Sequence, residues 1–439
     1  MEQGFQERVF AGNDLHDECL YNDPNAKFGL VGETRRGPGV IPVGRDMLSH
    51  HILLLGGIGT GKTNTFDFLI SNIRQTLTAD DLMIIFDTKG DYYREFYQPG
   101  DVVISNDERA SGGSGPDYWN IFNEITADDR IEENVLEISK SLFADKLEHS
   151  SQPFFPTAAK DLFSALVLHM LRDDAMAGAR NNLDLRSIFD SFSVPAMKNI
   201  LAKYKDLKAM ASYIEDEKSG QTQGVTAELQ QLTREIFVGN FKKRGTLSLR
   251  QLVRQKGGRV VFIEYDLGLG NVLTPIYRLL IDLAIKEALC RKKDEGSVYF
   301  LIDEFRLLPL LQHMDDGVNF GRSLGTKFAI GIQNIEQIEH AYGKDLAQSI
   351  LSGFSTIFAF RVNDAISREY IKDLFGKNIK MQTYVSSVQS RGLSEQTREG
   401  CVVEDADVTN LQVGEAVVGT MSNPPFRFRF KRYPEKQGA

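Results

Sequence analysis

Residues 56–63 read Gly-Gly-Ile-Gly-Thr-Gly-Lys-Thr and follow directly on the apolar run Ile52–Leu55. No other stretch constrains the chain so tightly. Glycines here let backbone N–H groups turn inward as an anion nest, provided a buried strand enters the loop and a helix leaves it. Both flanks are present, with a helical stretch from Asn64 to Arg74 on the far side. In that setting Lys62 reaches β- and γ-phosphates and the Thr63 hydroxyl ligates Mg²⁺. Gly57, Gly59, Thr60, Gly61, Lys62, Thr63 and Asn64 form the expected cradle for a nucleoside triphosphate.

Further buried-strand patterns occur at Met83–Phe86, Val260–Ile263, Tyr299–Ile302, Phe328–Ile332 and Thr356–Phe360. Helical patterns separate several of them, which predicts an α/β fold with a largely parallel sheet and helices on both faces. Between the second and third strands the chain changes character and reads as helix from Ile131 to Gly239. Phe155, Ala158, Ala159, Leu162, Phe163, Leu166, Val167 and Met170 trace one apolar helical face there. Ser219-Gly220 and Gly224 are read as an interruption before a second helical run through Leu229, Leu232 and Ile236. The expected organisation is a nucleotide-binding part (1–130), an inserted all-α domain (131–245) and a second nucleotide-binding part (246–439). The Gly/Ser segment 111–116 reads as a mobile surface loop. The alternating aromatic and basic residues of 424–432 read as a late edge strand.

With 439 residues, 42% of them hydrophobic, the chain can bury a large core. The longest apolar runs fall far short of the ~20 residues a spanning helix needs, and no secretory leader pattern opens the chain. Cys19, Cys290 and Cys401 match no metal-ligand spacing and read as reduced, mostly buried thiols of a cytoplasmic protein. The net charge of −9 excludes a uniformly basic coat. It leaves room for basic residues confined to a pore. The seven histidines show no ligand spacing, so no metal beyond Mg²⁺ is expected.

A phosphate loop needs a carboxylate at the end of a neighbouring buried strand. Val298-Tyr-Phe-Leu-Ile-Asp303-Glu304 supplies two. Asp303 is expected to hold Mg²⁺ through water, and Glu304 to orient and deprotonate the attacking water. Gln333 ends the strand pattern of 328–332, where a polar side chain can sense the γ-phosphate. Arg322 precedes that strand and could reach a neighbouring subunit as an arginine finger. The plainer readings are a polar strand end for Gln333 and a surface ion-pair partner for Arg322.

These residues resemble the type IV secretion coupling proteins, conjugative DNA-transfer ATPases within the FtsK/HerA class of P-loop translocases. The resemblance covers about 27–432. It rests on Asp87-Thr-Lys89-Gly90-Asp91, on Tyr118-Trp119-Asn120 with Ile121 where proline is usual, on Phe154–Ala159, and on Arg322–Gln333 with Gln337 and Tyr342-Gly343. Leu411–Val417 also fits. It implies that Lys62, Glu304, Gln333 and Arg322 are catalytic and that Thr63 and Asp303 hold Mg²⁺. It further implies a homohexamer that moves DNA through a ring pore without reading its sequence, a relaxase complex or secreted protein as cargo, and a type IV secretion channel as partner. The all-α domain would face that cargo. Members of the family usually carry N-terminal membrane helices, which this sequence lacks. The expected place is the cytoplasmic face of a bacterial inner membrane, reached through a partner or a missing anchor. A monomer in isolation would not be surprising.

Basic clusters at 242–244, 254–259 and 291–293 are candidates for tracking phosphates, although each alone reads first as a solvated loop or helix end. Two alternatives to the motor stand beside it. One is a cargo-recruiting platform in which ATP acts as an assembly switch. The other is a HerA- or FtsK-like translocase working outside secretion.

Overall fold

The structure is a computed structural model that describes residues 6–106, 117–385, 393–420 and 423–434. The predicted mobile loop at 111–116 lies outside the described residues. Described strands are β1 (Gln6–Ala11), β2 (Phe28–Thr34), β3 (Gly37–Val43), β4 (Ile52–Leu55), β5 (Leu82–Asp87), β6 (Val102–Ile104) and β7 (Arg259–Glu264). They continue as β8 (Val298–Ile302), β9 (Thr326–Ile332), β10 (Thr356–Ala359), β11 (Lys377–Val385), β12 (Leu393–Cys401), β13 (Glu415–Thr420) and β14 (Asn423–Phe430). The fold is of the α/β P-loop class expected from the sequence.

The chain divides into two compact units. The first holds residues 1–77, 299–306 and 318–439; the second holds 78–298 and 307–317. In the first unit the strand order is β3-β2-β14-β13-β10-β4-β9-β8. β10, β4 and β9 run parallel, and their residues are buried and mostly apolar because both faces are covered, the exceptions being Thr326, Lys327 and Thr356 near the strand starts. β13, β14, β2 and β3 extend this run as an antiparallel flank. A separate antiparallel sheet of β1, β11 and β12 completes the unit.

The second unit contains the parallel run β5-β7-β6 and a helical mass. Residues 131–245 contain helices and short 3-10 turns, with no strand among them. The predicted apolar stripe lies on helix Phe154–Arg172, where Ala158 to Met170 are buried on nearly every side. This helix is therefore an axis around which others pack, rather than a surface helix with one wet face.

Several expectations need correction. β14 is not an edge strand. It pairs with β13 on one side, while β2 takes Arg429 and Phe430 on the other. His16 covers the rest of that side, donating its N–H to Pro425 O (2.9 Å) and accepting from Arg427 N–H (2.9 Å). Pro424 and Pro425 are tolerated because they sit at the strand's start, beside a register shift. Gly224 does not interrupt a helix but lies inside helix Gly220–Ile236. A β-carbon there would fall 2.5 Å from the Phe155 ring, so the glycine serves a close approach between helices. The cysteines are free, but Cys290 is exposed and the other two are half-buried. Among the described residues, no helix is long and apolar enough to cross a membrane.

Candidate active site

The site grows from the carboxyl ends of β4, β9 and β8. β4 leads into the loop, Gly59 (φ +72°) and Gly61 (φ +113°) turn it through left-handed conformations, and helix Lys62–Thr76 leaves it. Side-chain-bearing residues avoid that region of backbone space. Two hydrogen bonds clamp the loop entrance. Gly56 N–H donates to Ile332 O (3.1 Å) at the end of β9, and Gly57 N–H donates to Arg361 O (3.0 Å) just past β10. Thr60 Oγ1 donates to Gly57 O (2.8 Å), and Thr60 O accepts from Gly414 N–H (2.8 Å). The Asn64 amide ties the C-terminal segment to the helix, donating to Lys431 O (3.0 Å) and accepting from Tyr433 N–H (2.8 Å).

Lys62 folds over the loop, its ammonium donating to Gly56 O and to Gly57 O (3.1 Å). Burial lowers its pKa, while Asp303 and Glu304 pull the other way. Thr63 Oγ1 donates to Asp303 Oδ2 at 2.8 Å, so the two expected Mg²⁺ residues meet across some 240 positions of sequence. Gly331 makes room for this. A β-carbon at 331 would stand 2.2 Å from Asp303 O, so the end of β9 can lie against Asp303 only without a side chain.

Glu304 is held from both sides. Gln333 Nε2 donates to its Oε2 (2.9 Å) and Arg306 Nε to its Oε1 (2.9 Å). Gln333 therefore does more than end a strand; its amide orients the carboxylate proposed to act on water. Arg306 escaped the sequence reading. Its only cue is a position two residues after Glu304, and nothing in local pattern says that a 3-10 turn (Phe305–Leu307) will aim it back.

Arg322 is not part of this cluster. It lies in the short turn Gly321–Leu324 ahead of β9, with Asp46 3.7 Å away and its side chain 47% exposed. It lines an open pocket of about 840 Å³ with Asp23, Arg45, Asp46 and Phe320. β9 separates it from Gln333 by seven residues, or roughly 20 Å.

The basic clusters are largely occupied. Arg244 pairs with Asp184 (3.0 Å), Arg254 with Glu287 and Asp128, and Arg291 donates to Glu295 O. Lys243 stands over the Tyr118 ring at 4.8 Å.

The family described as type IV secretion-system coupling protein DNA-binding domain matches residues 35–431. The chain belongs to this family. The coupling protein TraD of Escherichia coli K12 is 22% identical over 336 residues, covering 74% of this chain and 43% of its own length. The chain spans about half the length, or less, of the curated relatives it matches. Among solved structures, the plasmid coupling protein TrwB with a non-hydrolysable ATP analogue superposes with a TM-score of 0.74 at 18% identity, covering 99% of this chain and 97% of its own. TrwB with ADP and Mg²⁺ gives 0.69 at 19%, covering 90% and 88%. At these identities the likeness to the solved coupling-protein structures speaks for fold alone.

Proposed function

We propose that this coupling-protein chain is an ATP-hydrolysing DNA translocase that links a DNA-processing complex to a type IV secretion channel. The observation that carries the reading is the paired arrangement at the end of β8. Asp303 is bonded to Thr63 on the helix N-terminus, and Glu304 is held by Gln333 and Arg306. The residues fit a Mg²⁺–nucleotide. The hydroxyl and carboxylate of Thr63 and Asp303 are hard oxygen donors of the kind Mg²⁺ takes, and the loop presents amides and an ammonium to phosphate. Bound there, Mg²⁺ would neutralise charge on the phosphates. Lys62 exchanges its two carbonyl partners for phosphate oxygens. Glu304 accepts the proton of the attacking water, with Gln333 and Arg306 fixing its orientation.

Arg322 sits a strand's length from this cluster, so its proposed contact is with a nucleotide held by another copy of the chain. That reading requires a closed ring, proposed as a homohexamer, with DNA in its pore and recruitment of cargo by residues 131–245. The membrane face is the proposed location, as the family's secretion role implies. Hydrolysis measured across a protein concentration series, with and without single-stranded DNA, tests the motor. Turnover should rise with both; a rate indifferent to both would remove the translocase reading.

One observation favours a second reading, a cargo-recruiting platform with ATP as an assembly switch. Most cations of the basic clusters are engaged by neighbouring carboxylates, carbonyls or a ring rather than presented freely. DNA that leaves turnover unchanged while nucleotide still drives assembly would select the platform.

A further inference from the structure

The phosphate loop is clamped between two strands, and the two flanks differ in one respect. On the β9 side the carbonyl of Ile332 takes Gly56 N–H, and the next residue, Gln333, is committed to Glu304. On the β10 side the carbonyl that takes Gly57 N–H belongs to Arg361 itself. Arg361 is half-buried, and among the described residues nothing accepts from its guanidinium.

Other arginines of the same unit face carboxylates. Arg427 pairs with Asp17 (2.9 Å) and Asp407 (2.6 Å), and Arg368 pairs with Asp405 (3.0 Å). A guanidinium with no counter-charge is available to an anion without first breaking an ion pair. Its backbone leaves little freedom to move away. Phe360 N–H donates to Leu55 O (2.7 Å), and Asp364 caps the following helix Ala365–Phe375.

The place of Arg361 beside the phosphate loop suits one anion. Gly57, the loop residue bonded to Arg361, also accepts the Lys62 ammonium. That is the end of the loop toward which Lys62 projects, and the lysine of such a loop serves the β- and γ-phosphates. A guanidinium offers a rigid fork of donors matched to phosphate oxygens.

We infer that Arg361 is a second cationic ligand for the terminal phosphate, acting in cis from the β10 flank. It is distinct from the contact across subunits proposed for Arg322. The inference rests on the nucleotide-binding reading and adds the residue that lets the site tell triphosphate from diphosphate.

The test compares binding of a non-hydrolysable ATP analogue and of ADP, each with Mg²⁺, to the native chain, Arg361→Gln, Arg361→Lys and Lys62→Ala. Arg361→Gln should weaken the triphosphate about tenfold or more, as expected for one charge-assisted contact, and leave ADP unchanged. Arg361→Lys should recover part of the loss, and Lys62→Ala should weaken both ligands. The melting temperature of Arg361→Gln without nucleotide should not fall, because no ion pair is broken. Unchanged triphosphate binding, an equal loss for both nucleotides, or a marked fall in melting temperature would each overturn the inference. A native chain that binds neither nucleotide would instead remove the reading beneath it.

Discussion

Glu304 and Gln333 illustrate how one hydrogen bond can assign two roles. With its two oxygens taken by Gln333 and Arg306, the Glu304 carboxylate can turn little, which suits a base that must meet water in one geometry. Glu304→Gln should keep nucleotide affinity within a few-fold and lose turnover by about 10²-fold or more, read by binding and hydrolysis on the same preparation. Unchanged hydrolysis would remove Glu304 as the base. His51 makes a different residue-scale prediction. Its Nδ1 accepts from Phe328 N–H (3.1 Å), so Nε2 carries the proton given to Val318 O (3.1 Å) and the ring is neutral. Burial pushes its pKa down to about 3. The unfolded chain takes up this proton near pH 6.5 while the folded chain resists. The contribution is therefore complete above pH 6.5 and erodes as pH falls toward 3. By pH 5 the loss is about 2 kcal/mol. Urea unfolding at pH 7 and pH 5 should show that loss in the native chain and a smaller one in His51→Gln. Equal pH dependence would refute the assignment.

Elements in the second unit are joined by a buried polar network that local pattern does not announce. Glu124, at the end of the short helix Ile121–Ile125, accepts from Trp119 Nε1 (3.0 Å), Ser248 Oγ (2.8 Å), Leu249 N–H and Arg250 N–H. Arg250, itself fully buried, continues the network to Glu287 and Asp128. The Trp119-Asn120 segment that carried part of the family resemblance is thus a structural clasp. Asn120 caps the helix by accepting from Phe122 N–H and donates to Gly245 O (3.0 Å), while Trp119 anchors the carboxylate. Glu124→Ala would leave four buried donors without an acceptor and should cost about 3 kcal/mol or more, measured by chemical denaturation. A loss below about 1 kcal/mol, the worth of one ordinary hydrogen bond, would show that the network relaxes around the gap.

At the scale of the whole molecule the separation of Arg322 from the Glu304 cluster matters most. If each site borrows its arginine from a neighbour, Arg322→Ala and Lys62→Ala chains fail for different reasons and complement one another. A mixture should regain part of the hydrolysis that neither has alone, because some interfaces then unite an intact loop with an intact Arg322. No recovery in a mixture shown to co-assemble would place the arginine's role within its own chain. Arg322's present neighbour, Asp46, is an exposed partner. Such a pair is worth 1 kcal/mol or less and is readily exchanged for a phosphate.

The phosphate loop, the Asp303-Glu304 pair, the parallel strand patterns and the apolar stripe of helix Phe154–Arg172 were all legible in the sequence. Each is written in adjacent residues or in a helical repeat, where local geometry dictates which side chains share a face. The tertiary structure alone decided the rest. Which donor meets Glu304 depends on two strand ends that lie 29 positions apart, and β14 is interior because His16 and β2 arrive from the other end of the chain. Gly224 reads as a breaker until the Phe155 ring is beside it. Arg361 is an ordinary loop arginine in sequence; only its bond to Gly57 and the lack of a counter-charge among the described residues set it apart. Such properties belong to pairs of distant groups, and burial and hydrogen bonding act on them only once the chain has closed.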